Sequence, residues 1–326
     1  MKFKAYPLTV KPILKEKVWG GRNLKPFVDI GVKKTGEAWM LSDQGKDRSV
    51  ILDGVLRGMT LGKAIEKYPA QMMGPALIKK YGRRFPLLFK YLDTNDRLSV
   101  QVHPDDVYAG KKGLPAGKTE MWYVMANKPG SSLFVGFKGR QTKKSLAEAA
   151  GSGKLASMLK KYGSAKGDSF FIPAGTVHAI GKGNVIYEVQ QNSDVTYRLY
   201  DWGRRSSGDD RPLHISDAIN SVKFYENNPK AAAKPGKFAD SITLRQLAQC
   251  AYFNAAEAVF EKNASYWYNE NRALVMAVID GEIDITTTEG ENHRYVKGGH
   301  VFIPYGLTGL LIKALKSSRL IITEAK

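Results

Sequence analysis

Gly167-Asp-Ser-Phe-Phe-Ile-Pro173-Ala-Gly175-Thr-Val-His178 is the stretch from which the rest of the chain is best read. Its apolar run predicts a strand, Pro173 and Gly175 predict a tight turn, and one histidine stands just beyond. Upstream, Leu98-Ser-Val-Gln101-Val-His103-Pro104 is a second strand-like run, with Gln101 and His103 two residues apart. Residues i and i+2 of a strand project to one face, so these two side chains stand together. Only 5 of the 326 residues are histidines, and two of them fall in such settings. The pattern points to a metal site inside a β-barrel.

Strand-like runs gather in two regions, residues 85–190 and 273–312, with Gly, Pro, Asn and Asp between them, as barrels and sandwiches require. Helical patterns interrupt them at 60–68, 75–81 and 144–162, the last preceded by Thr142 as a cap candidate. The segment 229–235 reads as a linker. Beyond it, Gly298-Gly-His-Val-Phe-Ile-Pro304-Tyr-Gly306-Leu-Thr-Gly309 repeats the G-x5-P-x-G frame. A period this long suits a duplicated domain rather than a solenoid. Gly309 takes the place of His178 in the second copy, so the frame itself specifies a strand and turn, and a metal-capable residue appears in one copy only. His214, His293 and His300 lack comparable partners and read as structural.

Composition sets the outer bounds. A hydrophobic fraction of 43% with 10% aromatics is that of a folded globular chain. The lone Cys250 forbids an internal disulfide and fits a reducing compartment. No apolar leader or spanning run is present, so a cytoplasmic location and no membrane partner are expected. The net charge of +19 comes from scattered pairs such as Arg83-Arg84 and Lys143-Lys144. No nucleic-acid recognition spacing accompanies them, so nucleic acid is not an expected partner.

The frame G-x5-P-x-G-x2-H resembles the second motif of the cupin superfamily, small β-barrels that hold a metal inside. The first cupin motif, H-x-H followed by Glu, is replaced here by Gln101-x-His103, with Glu120 as the matching acid after a loop from 104 to 119. Further segments are Val18-Trp19-Gly20-Gly21, Gly36-Glu37-Ala-Trp39, Pro86-Leu-Leu-Phe-Lys90, Gly117-Lys118-Thr-Glu120-Met-Trp122 and Gln191-Asn-Ser-Asp194-Val-Thr-Tyr-Arg198. In this order they resemble the type I mannose-6-phosphate isomerases, in their short bacterial branch. The resemblance implies a mainly β fold of two jelly-roll-like cupin barrels with small helical insertions. Residues 1–228 would form the catalytic domain and 236–326 a degenerate cupin without a metal.

Two imidazoles and a carboxylate, with a neutral amide oxygen as fourth donor, suit zinc with an open position. The same set also suits non-haem iron, so the choice of one Zn2+ per chain, on Gln101, His103, Glu120 and His178, rests on the resemblance. The implied reaction interconverts mannose 6-phosphate and fructose 6-phosphate through a cis-enediol. Lys118 is a candidate for proton transfer or phosphate contact, and Glu188 is a further catalytic candidate, with the base itself left open. Arg198 would orient the sugar or stabilise charge, since a guanidinium serves poorly as a base. Ser99, Lys90 and Asp194 are the candidates for binding the substrate, a small sugar phosphate. The family commonly has Asn-Val-Val-Arg where this chain has Val195-Thr-Tyr-Arg198. A monomer or weak homo-oligomer is expected. The alternatives are a metal-dependent cupin oxygenase and a non-catalytic sugar-phosphate-binding cupin.

Overall fold

A computed structural model describes residues 3–204, 211–224, 229–230 and 233–326. In the first half, Ser169–Ile172, Glu120–Asn127, Asn184–Gln191, Leu87–Thr94, Glu37–Leu41 and Ile13–Lys15 lie side by side in a six-stranded sheet. It faces a five-stranded sheet of Leu159–Gly163, Ser132–Phe137, His178–Ile180, Val100–Val102 and Tyr197–Tyr200. The second half repeats that order. His300–Ile303, Leu274–Asp280, Ser318–Ala325, Phe253–Phe260, Ile242–Gln249 and Gly236–Ala239 take the same places, and Leu8–Thr9 from the N-terminus adds a seventh strand at one edge. Opposite lie Asn292–Val296, Glu282–Thr286, Leu310–Ala314 and Ser265–Tyr268, four strands with no counterpart of Tyr197–Tyr200. The repeated sequence frame is thus a repeated fold, the cupin architecture twice over. Each half consists of two facing sheets that do not join into a closed barrel.

The two large sheets pack back to back, and this explains why their strands read as almost unbroken apolar runs. Leu87–Thr94 and Asn184–Gln191 are buried at every position, because both faces of the six-stranded sheet are covered. Successive side chains alternate between the faces. Phe89, Tyr91, Tyr123 and Tyr187 turn outward into one core with Phe253, Val275, Phe302 and Ile321 of the second half. The ring of Phe85 meets Phe302 edge-on at 5.1 Å. Polar ties reinforce the seam: the Tyr123 hydroxyl donates to Glu257 at 2.6 Å, and Arg245 donates to the Gly167 carbonyl at 2.6 Å. Gly298 permits the closest approach, since a Cβ there would stand 1.8 Å from the Phe27 carbonyl oxygen. Its φ of 85° is one that glycine adopts freely.

Thr60 caps the helix Leu61–Lys67, and the helix Gly74–Tyr81 forms where the sequence places it. The long helix expected over 144–162 does not. Lys143–Ala149, capped by a Thr142/Ser145 box, stops at Ala150, whose ψ of 144° is extended. Gly151 follows at φ 76°, and the short helix Gly153–Ser157 leads into a strand paired with Ser132–Phe137. The loop expected at 104–119 contains a helix, Asp106–Lys111, capped by Asp105. The expected linker is partly structural: Phe171 donates to the Pro229 carbonyl at 2.7 Å, and Lys230 bridges to Phe170. Residues 225–228 and 231–232, where the first expected domain ends and the linker runs, lie outside the described residues. No helix among the described residues is long and apolar enough to cross a membrane.

The pairing also revises one alignment. By linear spacing Gly309 matches His178. In the sheets, however, His178 pairs with Gln101 and Ile180 with Leu133, while Leu310 pairs with Tyr268 and Ile312 with Ile285. Leu310 therefore holds the place of His178. The second turn is one residue longer, and Gly309 absorbs the extra residue at φ 70°.

If the seam between the large sheets holds the halves together, Phe302→Ala removes a buried ring from its centre. The expected loss is ~3–5 kcal/mol of unfolding free energy, measured by urea titration. A loss under ~1 kcal/mol would place the stabilising contacts elsewhere.

Candidate active site

The strand alternation that sends aromatic rings into the seam sends polar side chains the other way, into the lumen between the six- and five-stranded sheets. Trp39, Lys90, Glu188 and Trp122 lie opposite one another on four adjacent strands and form one row across the lumen floor. Glu120 begins its strand one side-chain pair further along the same face. From the facing sheet, Gln101 lies between His178 and Arg198 on the neighbouring strands. His103 stands one residue beyond the strand Val100–Val102.

His103, Glu120 and His178 bring their ligand atoms within 4.8 Å of one another, and each is only 1% exposed. Glu120 Oε2 is 3.4 Å from His103 Nε2, and Oε1 is 3.5 Å from His178 Nε2. The far ring nitrogens are tethered: His103 Nδ1 lies 2.8 Å from the Val195 carbonyl and His178 Nδ1 2.9 Å from the Thr176 carbonyl. A carbonyl only accepts, so each Nδ1 carries the hydrogen and each Nε2 presents a lone pair to Glu120. This is how outer contacts orient histidines that ligate metals. The Gln101 amide nitrogen is 3.3 Å from His178 Nε2, and its oxygen accepts from Ser99 at 3.1 Å. A half-turn of that amide would present the oxygen to the cluster instead. Buried Glu120 Oε1 has no hydrogen-bond partner among the described residues. Two fixed imidazole lone pairs, a carboxylate with an unfilled oxygen and a rotatable amide fit a divalent ion of the zinc type.

Lys118 lies two residues before the strand, yet reaches the cluster, with Nζ 2.8 Å from Glu120 Oε2 and 3.0 Å from His103 Nε2. Burial and the Lys118 charge hold His103 down to about 3, and burial holds His178 below the usual imidazole range. Both rings are therefore neutral, as metal ligation requires. Burial alone would raise Glu120, but the Lys118 charge beside it holds it well below the ordinary carboxylate range. Glu188 goes the other way: burial and the Glu120 charge push it up to about 6, against the pull of Lys118 and Lys90. Trp122 Nε1 donates to Glu188 at 3.0 Å and fixes its orientation.

A cavity of ≈ 260 Å³ opens beside this cluster, lined among others by Ser99, Gln101, Lys118, Glu188, Asp194 and Arg198. Lys90 also lines it, so all the expected catalytic and substrate-binding positions border one space. Lys90 is nevertheless committed to carboxylates, with Glu37 and Glu188 at 3.7 Å and Asp194 at 3.8 Å. Burial would lower its pKa, and these partners raise it instead. Arg198 donates from Nε to Ser99 at 3.3 Å and from one terminal nitrogen to the Pro212 carbonyl at 2.7 Å. A larger cavity of ≈ 800 Å³, between Asp43–Arg48 and the Gly74–Tyr81 helix, shares only Asp194 with this one. It contains none of the cluster.

Sequence reasoning assigned no role to Glu37, Trp122 or Arg211, all of which bear on the site. Glu37 accepts from Trp39 Nε1 at 2.7 Å, and Lys90 and Lys17 hold it down to about 2 despite its burial. Strand parity could have found it, since it shares a face with Trp39. Arg211 lines the cavity beside Arg198 and is held by Asp201 through two contacts of 3.1 and 2.6 Å. No local pattern marks it. Of the remaining histidines, His214 accepts the Arg198 amide at 3.3 Å, and His300 is buried in the seam against Phe89 and Tyr187.

The class this defines is a double cupin with, among the described residues, one buried two-histidine, one-carboxylate cluster that could hold a metal ion, flanked by lysine and arginine. The comparisons narrow that class. Residues 8–134 match the model of the phosphomannose isomerase type I catalytic domain. Mannose-6-phosphate isomerase ManA of Bacillus subtilis is 36% identical over 92% of this chain and 94% of its own length. The mannose-6-phosphate isomerase of Streptococcus mutans is 33% identical over 92% of the chain and 93% of its own. The crystal structure of the mannose 6-phosphate isomerase from Bacillus subtilis superposes with a TM-score of 0.87 at 31% identity, covering 97% of this chain and 99% of that one. The chain belongs to the type I mannose-6-phosphate isomerase family.

Two measurements probe the electrostatics. Glu120→Gln is expected to weaken binding of an added divalent metal ion by more than the ~100-fold that changes to outer contacts cost, read by competition with a chromogenic chelator. Glu37 sits at about 2 when folded, below its ordinary value of 4.5. The unfolded chain therefore binds more protons between those values, and stability rises with pH there. Its contribution is complete above ~pH 4.5 and vanishes as pH falls toward ~2, a span worth at most about 3 kcal/mol. Glu37→Gln should flatten the slope of unfolding free energy against pH in that window, and an unchanged slope refutes the assignment.

Proposed function

We propose that this chain is a zinc-dependent aldose-ketose isomerase that interconverts mannose 6-phosphate and fructose 6-phosphate through a cis-enediol. One observation carries the reading. The buried His103–Glu120–His178 cluster opens, past Lys118, onto a cavity bordered by arginine, lysine and a carboxyl of raised pKa. Nearly full-length similarity to proteins named mannose-6-phosphate isomerase supports it.

The reaction moves a proton between C1 and C2 of the sugar and another between their oxygens. It needs a group that takes a proton from carbon, one that exchanges a proton with oxygen, and a means of stabilising negative charge. His103 Nε2, His178 Nε2, a Glu120 oxygen and the Gln101 amide oxygen would hold the zinc, which supplies Lewis acidity toward a carbonyl or hydroxyl oxygen. Glu188, raised to about 6, can both accept and release a proton near neutral pH. Its hydrogen bond from Trp122 aims the carboxyl into the cavity. Lys118, with three donor hydrogens and a place between the cluster and the open space, serves proton exchange at a sugar oxygen or contact with the phosphate. Arg198 remains a cation, although burial and Arg211 lower its pKa, and it orients the sugar and stabilises developing charge. The Ser99 hydroxyl, between Arg198 and Gln101, is placed for the substrate together with Lys90 and Asp194. Lys90 also holds Glu188 and Asp194 in position. Residues 1–228 carry this chemistry, and 236–326 form the metal-free cupin.

A coupled assay for fructose 6-phosphate formed from mannose 6-phosphate tests the proposal. Turnover should disappear after exhaustive chelation and return with zinc, and activity that survives metal removal defeats it. Glu188→Gln should lower kcat ~10²–10⁴-fold, the range for loss of a general acid–base group, with little change in zinc content. Arg198→Ala should lower kcat/KM and leave zinc binding intact.

A further inference from the structure

The second half keeps a lumen where the first half keeps its site, but relines it. Strand pairing places Leu274 where Glu120 stands, each opposite the isoleucine that precedes the repeated proline. By the same pairing Ile322 replaces Glu188 and Ala256 replaces Lys90. Leu310 takes the place of His178, so its partner Tyr268 takes that of Gln101. The places of Glu120, Glu188, Lys90 and His178 have become apolar and that of Gln101 a phenol, while by the same register Glu270 and Arg272, charged residues at the rim, stand where His103 and Lys118 do.

The space has not been filled. A cavity of ≈ 210 Å³ remains, walled by Ala256, Tyr268, Leu274, Met276, Ile312 and Ile322. Tyr268 is 5% exposed, and its hydroxyl has no hydrogen-bond partner among the described residues. A buried hydroxyl left unpaired is costly, and the tyrosine that carries it borders this largely apolar chamber. At the rim, Arg272 is held by Glu270 at 2.6 Å and by Glu324 at 3.1 Å. The rim cation is thus neutralised with one carboxylate in excess, so an anion gains nothing there. Apolar cavities of ~150 Å³ stay dry and take up benzene, and ligand pockets pair apolar walls with a few placed polar groups.

We propose that the lumen of the second half is a binding site for a small, neutral, largely apolar molecule whose single hydrogen-bonding group meets the Tyr268 hydroxyl. It is a second ligand site on the opposite side of the seam from the metal cluster, and of opposite chemistry.

Titrating methyl-labelled full-length protein with phenol and with benzene tests this, by following the Leu274 and Ile322 methyl resonances. Both probes should shift them, phenol with about fivefold higher affinity, the contribution of one neutral hydrogen bond. Tyr268→Phe should equalise the two probes. Ala256→Phe, which fills the chamber from one wall, should abolish both responses, and retained isomerase turnover of either variant reports that it is folded. The proposal is overturned if neither probe shifts the two methyls, or if folded Ala256→Phe still binds. Equal affinities for phenol and benzene in the wild type would overturn the part assigned to Tyr268.

Discussion

The structure depends on a six-stranded sheet buried on both faces. One face must be apolar to hold the two halves together, and the other is then free to carry polar groups into an enclosed lumen. The chain meets both demands by strict alternation, so that Phe89, Tyr187 and Tyr123 look into the seam while Lys90, Glu188 and Trp122 form a row on the lumen side. A slip of one residue in any of these strands would exchange the two sets. The aromatic packing of the seam therefore fixes the register of the site, and Glu257, paired with Arg245 and Arg319 and accepting the Tyr123 hydroxyl, pins it again.

Enclosure sets the electrostatics. Charges confined in a lumen of low polarity interact strongly, and their placement drives chemically similar groups apart. Glu37, between Lys17 and Lys90, is held at about 2, whereas Glu188, nearer Glu120, rises to about 6. Two glutamates one strand pair from the same lysine thus have different work: one stays charged to anchor Lys90, and the other can carry a proton. Such divergence between neighbouring carboxyls is how acid and base roles are separated at one pH.

Much of this was legible in the sequence, and the reasons are local. The turn at Pro173 and Gly175 and the spacing of Gln101 and His103 rest on short-range geometry, so His178, His103 and the strands carrying them read directly. The repeated frame announced the duplication for the same reason. What escaped depends on contacts distant in the chain. Arg211 arrives through a connection without periodicity, and Lys90, expected at the site as a substrate group, is drawn to three carboxylates from three different segments, Glu37 among them. The helix expected over 144–162 failed because its apolar spacing outweighed Gly151 and Gly153 in the reading, whereas in the fold those glycines release the chain to form an edge strand. The place of Leu310 was hidden by one added turn residue, which linear spacing cannot detect and strand pairing can.

The tethering of His103 and His178 reaches past the site itself. Their Nδ1 hydrogens go to main-chain carbonyls at Val195 and Thr176, so the far side of each ring is anchored by backbone and not by a side chain. Variation in side chains around the cluster can therefore change affinity, acidity or sugar preference without unsettling the ligands. What the site cannot absorb is a shift in the path of two short stretches of backbone, the bend from Pro173 to Val177 and the crossing from Ser193 to Thr196. In a lineage of such enzymes, those stretches would be the slow-changing frame and the lumen walls the part open to selection.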